Sequence, residues 1–176
     1  MDTEKSRRRV TRIAAFNGWS VAALGGVCVL TSLWWLSWPG ILIGVAAVAS
    51  GFMELTGRRR LTEGRPAARR WLAGSQVLLL TAILLYAGCQ LASFDPHRIL
   101  LELPPDLLEE LKATFGAEQV EQLTGRVHRA IYVALMIASL IYQGGLCLYY
   151  ALATRKLFSQ PPLPPGDPYA RASRSP

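Results

Sequence analysis

One stretch of this 176-residue chain decides its fold: residues 13–53, which read IAAFNGWSVAALGGVCVLTSLWWLSWPGILIGVAAVASGFM. These 41 residues include no Asp, Glu, Lys or Arg. A helix at the surface of a soluble protein carries charged residues every turn or two on the face that meets water. Because this stretch has no such face, it predicts helices that are surrounded by lipid.

The stretch is long enough to cross a bilayer twice, since one crossing needs about 20 apolar residues. The sequence Ser37-Trp38-Pro39-Gly40 interrupts it near its middle. Proline lacks a backbone donor and suits the first turn of a helix, and a preceding serine suits the cap position. We therefore predict two transmembrane helices, about 13–36 and 38–56, joined by a tight hairpin. A cleaved signal peptide is disfavoured because its apolar part is usually about 7–15 residues long.

Two further stretches lack charged residues, 71–94 and 130–154, with 24 and 25 residues. Each has the length of one crossing, which predicts helices at about 71–94 and 129–154. The predicted fold class is all-α, an integral membrane four-helix bundle made of two transmembrane hairpins. This domain spans 13–156 and lies between a basic N-terminus, 1–12, and a tail, 157–176, whose prolines predict a disordered segment.

Basic residues are concentrated in three segments that four crossings place on the same side of the membrane. Residues 1–12 contain five Lys or Arg, residues 57–70 contain six and residues 155–176 contain four. The other four lie in residues 95–129, beside seven acidic residues. Cytoplasmic flanks of membrane helices are enriched in Lys and Arg. Both termini are therefore predicted to be cytoplasmic, in a plasma or inner membrane.

The net charge of +7 is explained by anionic lipids of the inner leaflet, because the sequence lacks the alternation of aromatic and basic residues typical of nucleic-acid binding. Aromatic residues also mark the interfaces: Trp34, Trp35 and Trp38 at the outer hairpin, and Tyr149 and Tyr150 near the inner end of the fourth helix. The residues predicted to contact inner-leaflet lipid are Arg58, Arg59, Arg60, Arg69 and Arg70.

The outer loop, 95–128, contains a predicted short amphipathic helix. It follows Pro104 and Pro105, ends at Gly116, and places Leu107, Leu108, Leu111 and Phe115 on one face. We expect it to lie on the membrane or to cap the bundle. From about residue 117 a second helical stretch is expected to run directly into the fourth transmembrane helix.

Small residues recur at helical spacing in the first and second helices, and a pair of glycines lies in the fourth. Small residues let membrane helices approach closely, so that dispersion contacts hold them together. The predicted packing residues are Gly18, Ala22, Gly25, Gly40, Gly44, Ala47, Gly51 and Gly144.

Uncharged polar residues occur inside the predicted helices, where amides seek partners on neighbouring helices. The main ones are Asn17, Gln76, Gln90 and Gln143, and we expect Gln76 and Gln143 to be able to bond to each other. Glu54 ends the first charge-free stretch. It stands four residues before Arg58, a spacing that predicts an exposed ion pair. These amides are interpreted as contacts between helices, with a polar substrate path as the alternative.

The sequence offers little for catalysis or for a cofactor. It contains no glycine-rich phosphate loop, no HExxH, no CxxC and no nucleophile elbow. The two histidines, His97 and His128, are weak candidates for a metal site or a pH sensor at the outer interface. We therefore predict a non-enzymatic protein that needs no cofactor.

The expected function is helix association, as an accessory or scaffold subunit or as a self-assembling module. Its expected partners are membrane lipids and another membrane protein or further copies of the chain. A small oligomeric transporter or channel subunit is the alternative. An enzyme that acts on lipids at the inner face is a third hypothesis, in which Glu54 and Glu63 are the only acidic groups near the arginine-rich loop.

Overall fold

The computed structural model describes residues 2–96, 100 and 103–158, and all regular secondary structure in these residues is helical. Four of the helices are long and apolar enough to cross a membrane. The prediction of an all-helical chain with four long apolar helices is thus confirmed for this part of the chain. The helices are α1 (Asp2–Trp34), α2 (Trp38–Thr62), α3 (Ala68–Ala92), α4 (Pro105–Phe115) and α5 (Ala117–Phe158).

A tight turn separates α1 from α2. Pro39 lies in the first turn of α2, and Ser37 is the residue at its N-cap, although its side chain makes no capping hydrogen bond. Leu36 has a φ of 50°, a left-handed conformation that is unusual for a residue with a branched side chain. The turn therefore depends on backbone geometry and on Pro39 rather than on a serine cap.

The helices pack in the order α1, α2, α3 and α5, and α1 makes a few contacts with α5. The most buried apolar cluster joins all four, at the end that carries the α2–α3 connection. Its members are Val10, Ala14, Leu61, Ala68, Leu72 and Tyr150. At the other end the aromatic side chains of Trp34, Trp35 and Trp38 are exposed.

Helix α4 lies against α5, but none of its residues is buried. It ends at Gly116, whose φ of 80° suits glycine. Helix α5 follows at once and runs without a break for 42 residues. The predicted disordered tail falls almost entirely outside the described residues.

Candidate functional site: a carboxyl shared by four helices

Glu54 is completely buried at the point where the four long helices meet. Its carboxyl oxygen Oε2 accepts hydrogen bonds from the Asn17 side-chain amide at 2.6 Å and from the Gln76 amide at 3.1 Å. The other oxygen, Oε1, accepts a hydrogen bond from the Tyr150 hydroxyl. Each donor comes from a different helix, so one carboxyl bonds α2 to α1, α3 and α5.

The cluster extends beyond these three donors. The Tyr142 hydroxyl donates to Asn17 Oδ1 at 3.1 Å, which fixes the Asn17 amide with its nitrogen towards Glu54. Between α2 and α3, the buried Ser50 hydroxyl donates to the Ser75 carbonyl at 2.8 Å. The Ser75 hydroxyl lies 3.4 Å from the Gln76 amide nitrogen. Buried polar groups are thus connected from α1 through to α5.

The predicted exposed pair between Glu54 and Arg58 is wrong. Arg58 is exposed, while Glu54 is buried and accepts its three hydrogen bonds from neutral groups. The physical reason lies in the spacing of α2: Gly40, Gly44, Ala47 and Gly51 recur at alternating intervals of four and three, and Glu54 is the next member. Glu54 therefore faces the packed side of the helix.

The predicted bond between Gln76 and Gln143 is also wrong. Gln76 uses its amide nitrogen for Glu54. The side-chain oxygens Oε1 of Gln76 and Gln143 are both buried without a hydrogen-bond partner. Gln76 therefore bonds the carboxyl on α2 and not the amide of Gln143. Tyr150 was predicted to mark the interface near the inner end of the fourth helix, and it is fully buried among the helices.

The small residues of α1 and α2 lie face to face. A Cβ built on Gly25 would stand 2.8 Å from the Gly44 carbonyl oxygen and 2.9 Å from the Ala47 Cβ. A Cβ on Gly51 would stand 2.6 Å from the Gly18 carbonyl oxygen and 2.8 Å from the Ala22 Cβ. These positions leave no room for a larger side chain.

Three other glycines differ in how closely neighbouring side chains approach them. Gly40 faces the Ser32 side chain in the turn between α1 and α2. Gly57, which the sequence did not single out, faces Leu72, with its Cβ position 2.8 Å from Leu72 Cγ, and so brings α2 and α3 together. A Cβ built on Gly144 would meet nothing within 4 Å among the described residues, so no helix in this part of the chain approaches it closely.

The five arginines predicted to contact lipid lie around the end of the molecule that carries the α2–α3 connection. Arg58 and Arg59 line an open cleft of about 340 Å³ together with Trp19, Leu55 and Thr62. The Arg60 guanidinium lies 4.6 Å from the centre of the Trp71 ring, within cation–π range. Arg69 lines a second cleft with Arg155, and Arg70 is exposed.

The histidine prediction can be followed only in part, because His97 lies outside the described residues. The His128 Nε2 atom is 3.2 Å from the Gln90 backbone carbonyl oxygen. Its ring lies between Phe94 and Tyr132, with centroid distances of 4.2 and 4.6 Å. Among the described residues no group of three or more His, Cys, Asp or Glu side chains is placed to bind a metal ion.

Comparison of the chain with protein-family models, with curated proteins and with solved structures gives no match.

Proposed function

We propose that this chain is an integral membrane protein whose four long helices form two hairpins across a plasma or inner membrane. Support comes from the many large apolar side chains that no other described residue covers, including Phe16, Leu24 and Ile141, which are 70 to 79% exposed. A soluble protein rarely leaves a large continuous apolar surface in contact with water. Lipid is the environment in which this surface is stable.

We propose that both termini and the α2–α3 connection face the cytoplasm. The basic residues support this orientation, because cytoplasmic flanks collect Lys and Arg. The cleft lined by Arg58, Arg59 and Trp19 offers two cations beside apolar side chains. Such a cleft fits the phosphate headgroup of an anionic inner-leaflet lipid.

Within this membrane, the function that the contacts support best is helix association, as an accessory or scaffold subunit or as a self-assembling module. The observation that carries this proposal is the bare surface of α5. Of the 18 most apolar consecutive residues of α5, only 11% are buried within the chain. This is the smallest buried share among the four long helices. Gly144 and Gly145 lie in that helix with nothing within 4 Å of their Cβ positions. A helix of a second protein or a second copy would find room there for a close approach.

The test measures the mass of the full chain purified in a mild detergent. We expect a complex larger than one copy, and we expect Gly144→Leu to reduce it to a single copy. Gly88→Leu is the matched control, because Gly88 in α3 also faces nothing within 4 Å. A wild-type chain that is monomeric and carries no partner, or a complex that both variants leave intact, would contradict the proposal.

The alternative, a subunit of a small oligomeric transporter or channel, is favoured by one observation, the burial of Glu54 among Asn17, Gln76 and Tyr150. Ionisable groups inside a membrane protein commonly mark proton or ion paths. Four helices that close on this cluster leave little space for a path, so a pore would need several copies. A closed ring of copies that conducts ions after reconstitution into vesicles would support this alternative over association alone.

Catalysis at the inner face receives no support from the acidic groups near the arginine-rich loop. Glu54 is occupied by its three donors, and Glu63 forms ion pairs with Arg59 at 3.1 Å and Arg65 at 3.0 Å. Glu54 has no exposed surface and Glu63 is held by two arginines, so neither carboxyl is placed to reach a substrate beside that loop. We therefore keep the proposal of a non-enzymatic protein.

A further inference from the structure

The two buried amide oxygens without partners are the starting point. Gln76 is 1% exposed and Gln143 is 5% exposed, and the Oε1 atom of each accepts no hydrogen bond. Leaving a buried acceptor unsatisfied costs about 1–3 kcal/mol. One of these acceptors lies on α3 and the other on α5, and each is able to accept a hydrogen bond.

The two glutamines lie at the same level of the molecule. Helices α3 and α5 are antiparallel, and two contacts fix their register: the Cys147 thiol with the Ala73 carbonyl oxygen, and the His128 ring with the Gln90 carbonyl oxygen. In that register Gln143 stands across from Gln76. The spare acceptor of Gln76 belongs to an amide that contacts the buried carboxyl through its nitrogen.

Among the residues that the structure describes, Glu54 has hydrogen-bond donors but no cationic partner. An ionised carboxylate only accepts hydrogen bonds, and an isolated charge in a low-dielectric interior is unstable without a counter-charge. Helix α1 presents the Asn17 amide, α3 presents the Gln76 amide, and α5 presents Tyr150 with Tyr142 and Tyr149 close by. On α2 itself, Arg58 is exposed, and no ion pair joins it to Glu54.

We propose that Glu54 is a proton-binding site within the membrane and that the Gln76 amide turns when the proton arrives. The proton comes from water at the membrane surface and forms an O–H bond on Glu54 Oε2, which leaves the carboxyl neutral. The Gln76 amide rotates by half a turn, so that its Oε1 atom accepts a hydrogen bond from the new O–H group. No other covalent bond changes, and loss of the proton reverses both movements. This inference rests on the proposed membrane location.

Gln76 is the amide that can turn. Its Oε1 atom has no partner to lose, and apart from the Glu54 bond its nitrogen makes only a 3.4 Å contact with the Ser75 hydroxyl. Asn17 also bonds Glu54 Oε2, but its oxygen accepts the Tyr142 hydroxyl. Rotation of Asn17 would break that bond, whereas rotation of Gln76 gives its oxygen a donor.

A proton fits this site better than a metal ion does. Glu54 and Tyr150 are 0% exposed and Gln76 is 1% exposed, so the group is closed to solvent. Three of the roughly four lone-pair positions of the carboxyl already accept hydrogen bonds. A metal ion needs several oxygens arranged around an open space. A proton needs only one oxygen and an acceptor beside it.

The test is infrared spectroscopy of the full chain in lipid nanodiscs while the pH is changed. We expect a carbonyl band of a protonated carboxyl that rises and falls reversibly with pH and that Glu54→Gln removes. Glu63→Gln is the control and should leave this band unchanged, because Glu63 is paired to arginines outside the cluster. Glutamate labelled with carbon-13 at its carboxyl should shift the band in the unmodified chain, which assigns the band to a glutamate and not to an aspartate.

Gln76→Leu tests whether the Gln76 amide bonds the carboxyl once it is protonated. Removal of the acceptor should shift the Glu54 band in frequency and change the pH at which half of it has formed, while the helix content stays the same. A Glu54 band that Gln76→Leu leaves in place would contradict the role of Gln76. Absence of any band that shifts with labelled glutamate, at every pH at which the helix content is kept, would overturn the proton site, and so would a band that responds to sodium but not to pH.

The same sample separates this inference from the membrane proposal on which it rests. Polarised infrared light reports whether the helices stand along the bilayer normal. Helices along the normal without a carboxyl band would reject the proton site alone. Helices without that orientation would reject the membrane proposal.

Discussion

The Tyr150 hydroxyl of α5 donates a hydrogen bond to the Glu54 carboxyl of α2, which lies 96 residues earlier in the chain. Helix α5 packs mainly on α3 and only slightly on α1. The bond is therefore a direct tie between the last helix and the second one. It also completes the set of donors around a carboxyl that has no solvent contact.

Replacement of Tyr150 by Phe removes this donor and keeps the ring. We expect the free energy of unfolding to fall by about 1–3 kcal/mol, since a buried acceptor on an ionisable group is left with one donor fewer. The measurement is reversible unfolding in mixed micelles, followed by circular dichroism. Tyr149→Phe is the matched control: the centres of the Tyr149 and Tyr150 rings are 5.8 Å apart, and the Tyr149 hydroxyl makes no hydrogen bond to any residue that the structure describes. Equal losses in the two variants would contradict the role of the Tyr150 hydroxyl.

The close contact between α1 and α2 gives a second prediction. A methyl group added by Gly51→Ala would stand 2.6 Å from the Gly18 carbonyl oxygen, and backbone atoms cannot move aside without moving the helix. We expect a loss of about 1–3 kcal/mol, the usual cost of overpacking. Gly26→Ala in α1 is the control and should not lower stability, because nothing described lies within 4 Å of that position and alanine favours a helix over glycine. If the Gly51→Ala chain were as stable as the Gly26→Ala chain, the close contact between α1 and α2 at Gly51 would be contradicted.

The sequence predicts the long helices well, because a run without charges and a proline at a helix start are local features. It predicts the small-residue contact between α1 and α2 as well, since helical spacing alone defines those faces. It fails at Glu54, where the nearby Arg58 offered a local partner and the true donors come from three other helices. The continuing interval of three from Gly51 to Glu54 was the available signal. The partners Gln76 and Tyr150 depend on tertiary register, which no local pattern contains.

Orientation can be tested with single cysteines in a chain whose three native cysteines are replaced by serine. Thr62→Cys is exposed at the end of α2 and Lys112→Cys is exposed on α4. If the basic segments face the cytoplasm, a membrane-impermeant maleimide added to intact cells should label Lys112→Cys and should label Thr62→Cys only after permeabilisation. If Thr62→Cys were labelled in intact cells and Lys112→Cys only after permeabilisation, the proposed orientation would be reversed. If both were labelled equally in intact cells, the proposal that the helices between them cross the membrane would be contradicted.

The arginine-lined cleft between α1 and α2 gives the last prediction. Its cations, Arg58 and Arg59, lie beside the apolar side chains of Trp19 and Leu55. The two arginines would bind the phosphate of a lipid, and the apolar side chains would contact the start of its acyl chain. Each basic residue near an anionic surface contributes about 1 kcal/mol. The double replacement Arg58→Gln with Arg59→Gln should therefore weaken binding of an anionic phospholipid by about 30-fold at fixed ionic strength.

The measurement is native mass spectrometry of the full chain titrated with phosphatidylglycerol, with phosphatidylcholine as the neutral reference. The control pair, Lys112→Gln with Arg126→Gln, removes the same charge from exposed positions nearer the other end of α5. If the cleft is the binding site, the control keeps its affinity, and raising the salt concentration weakens the wild type more than the cleft variant. Equal weakening by both pairs would show that net charge, rather than this cleft, attracts the lipid.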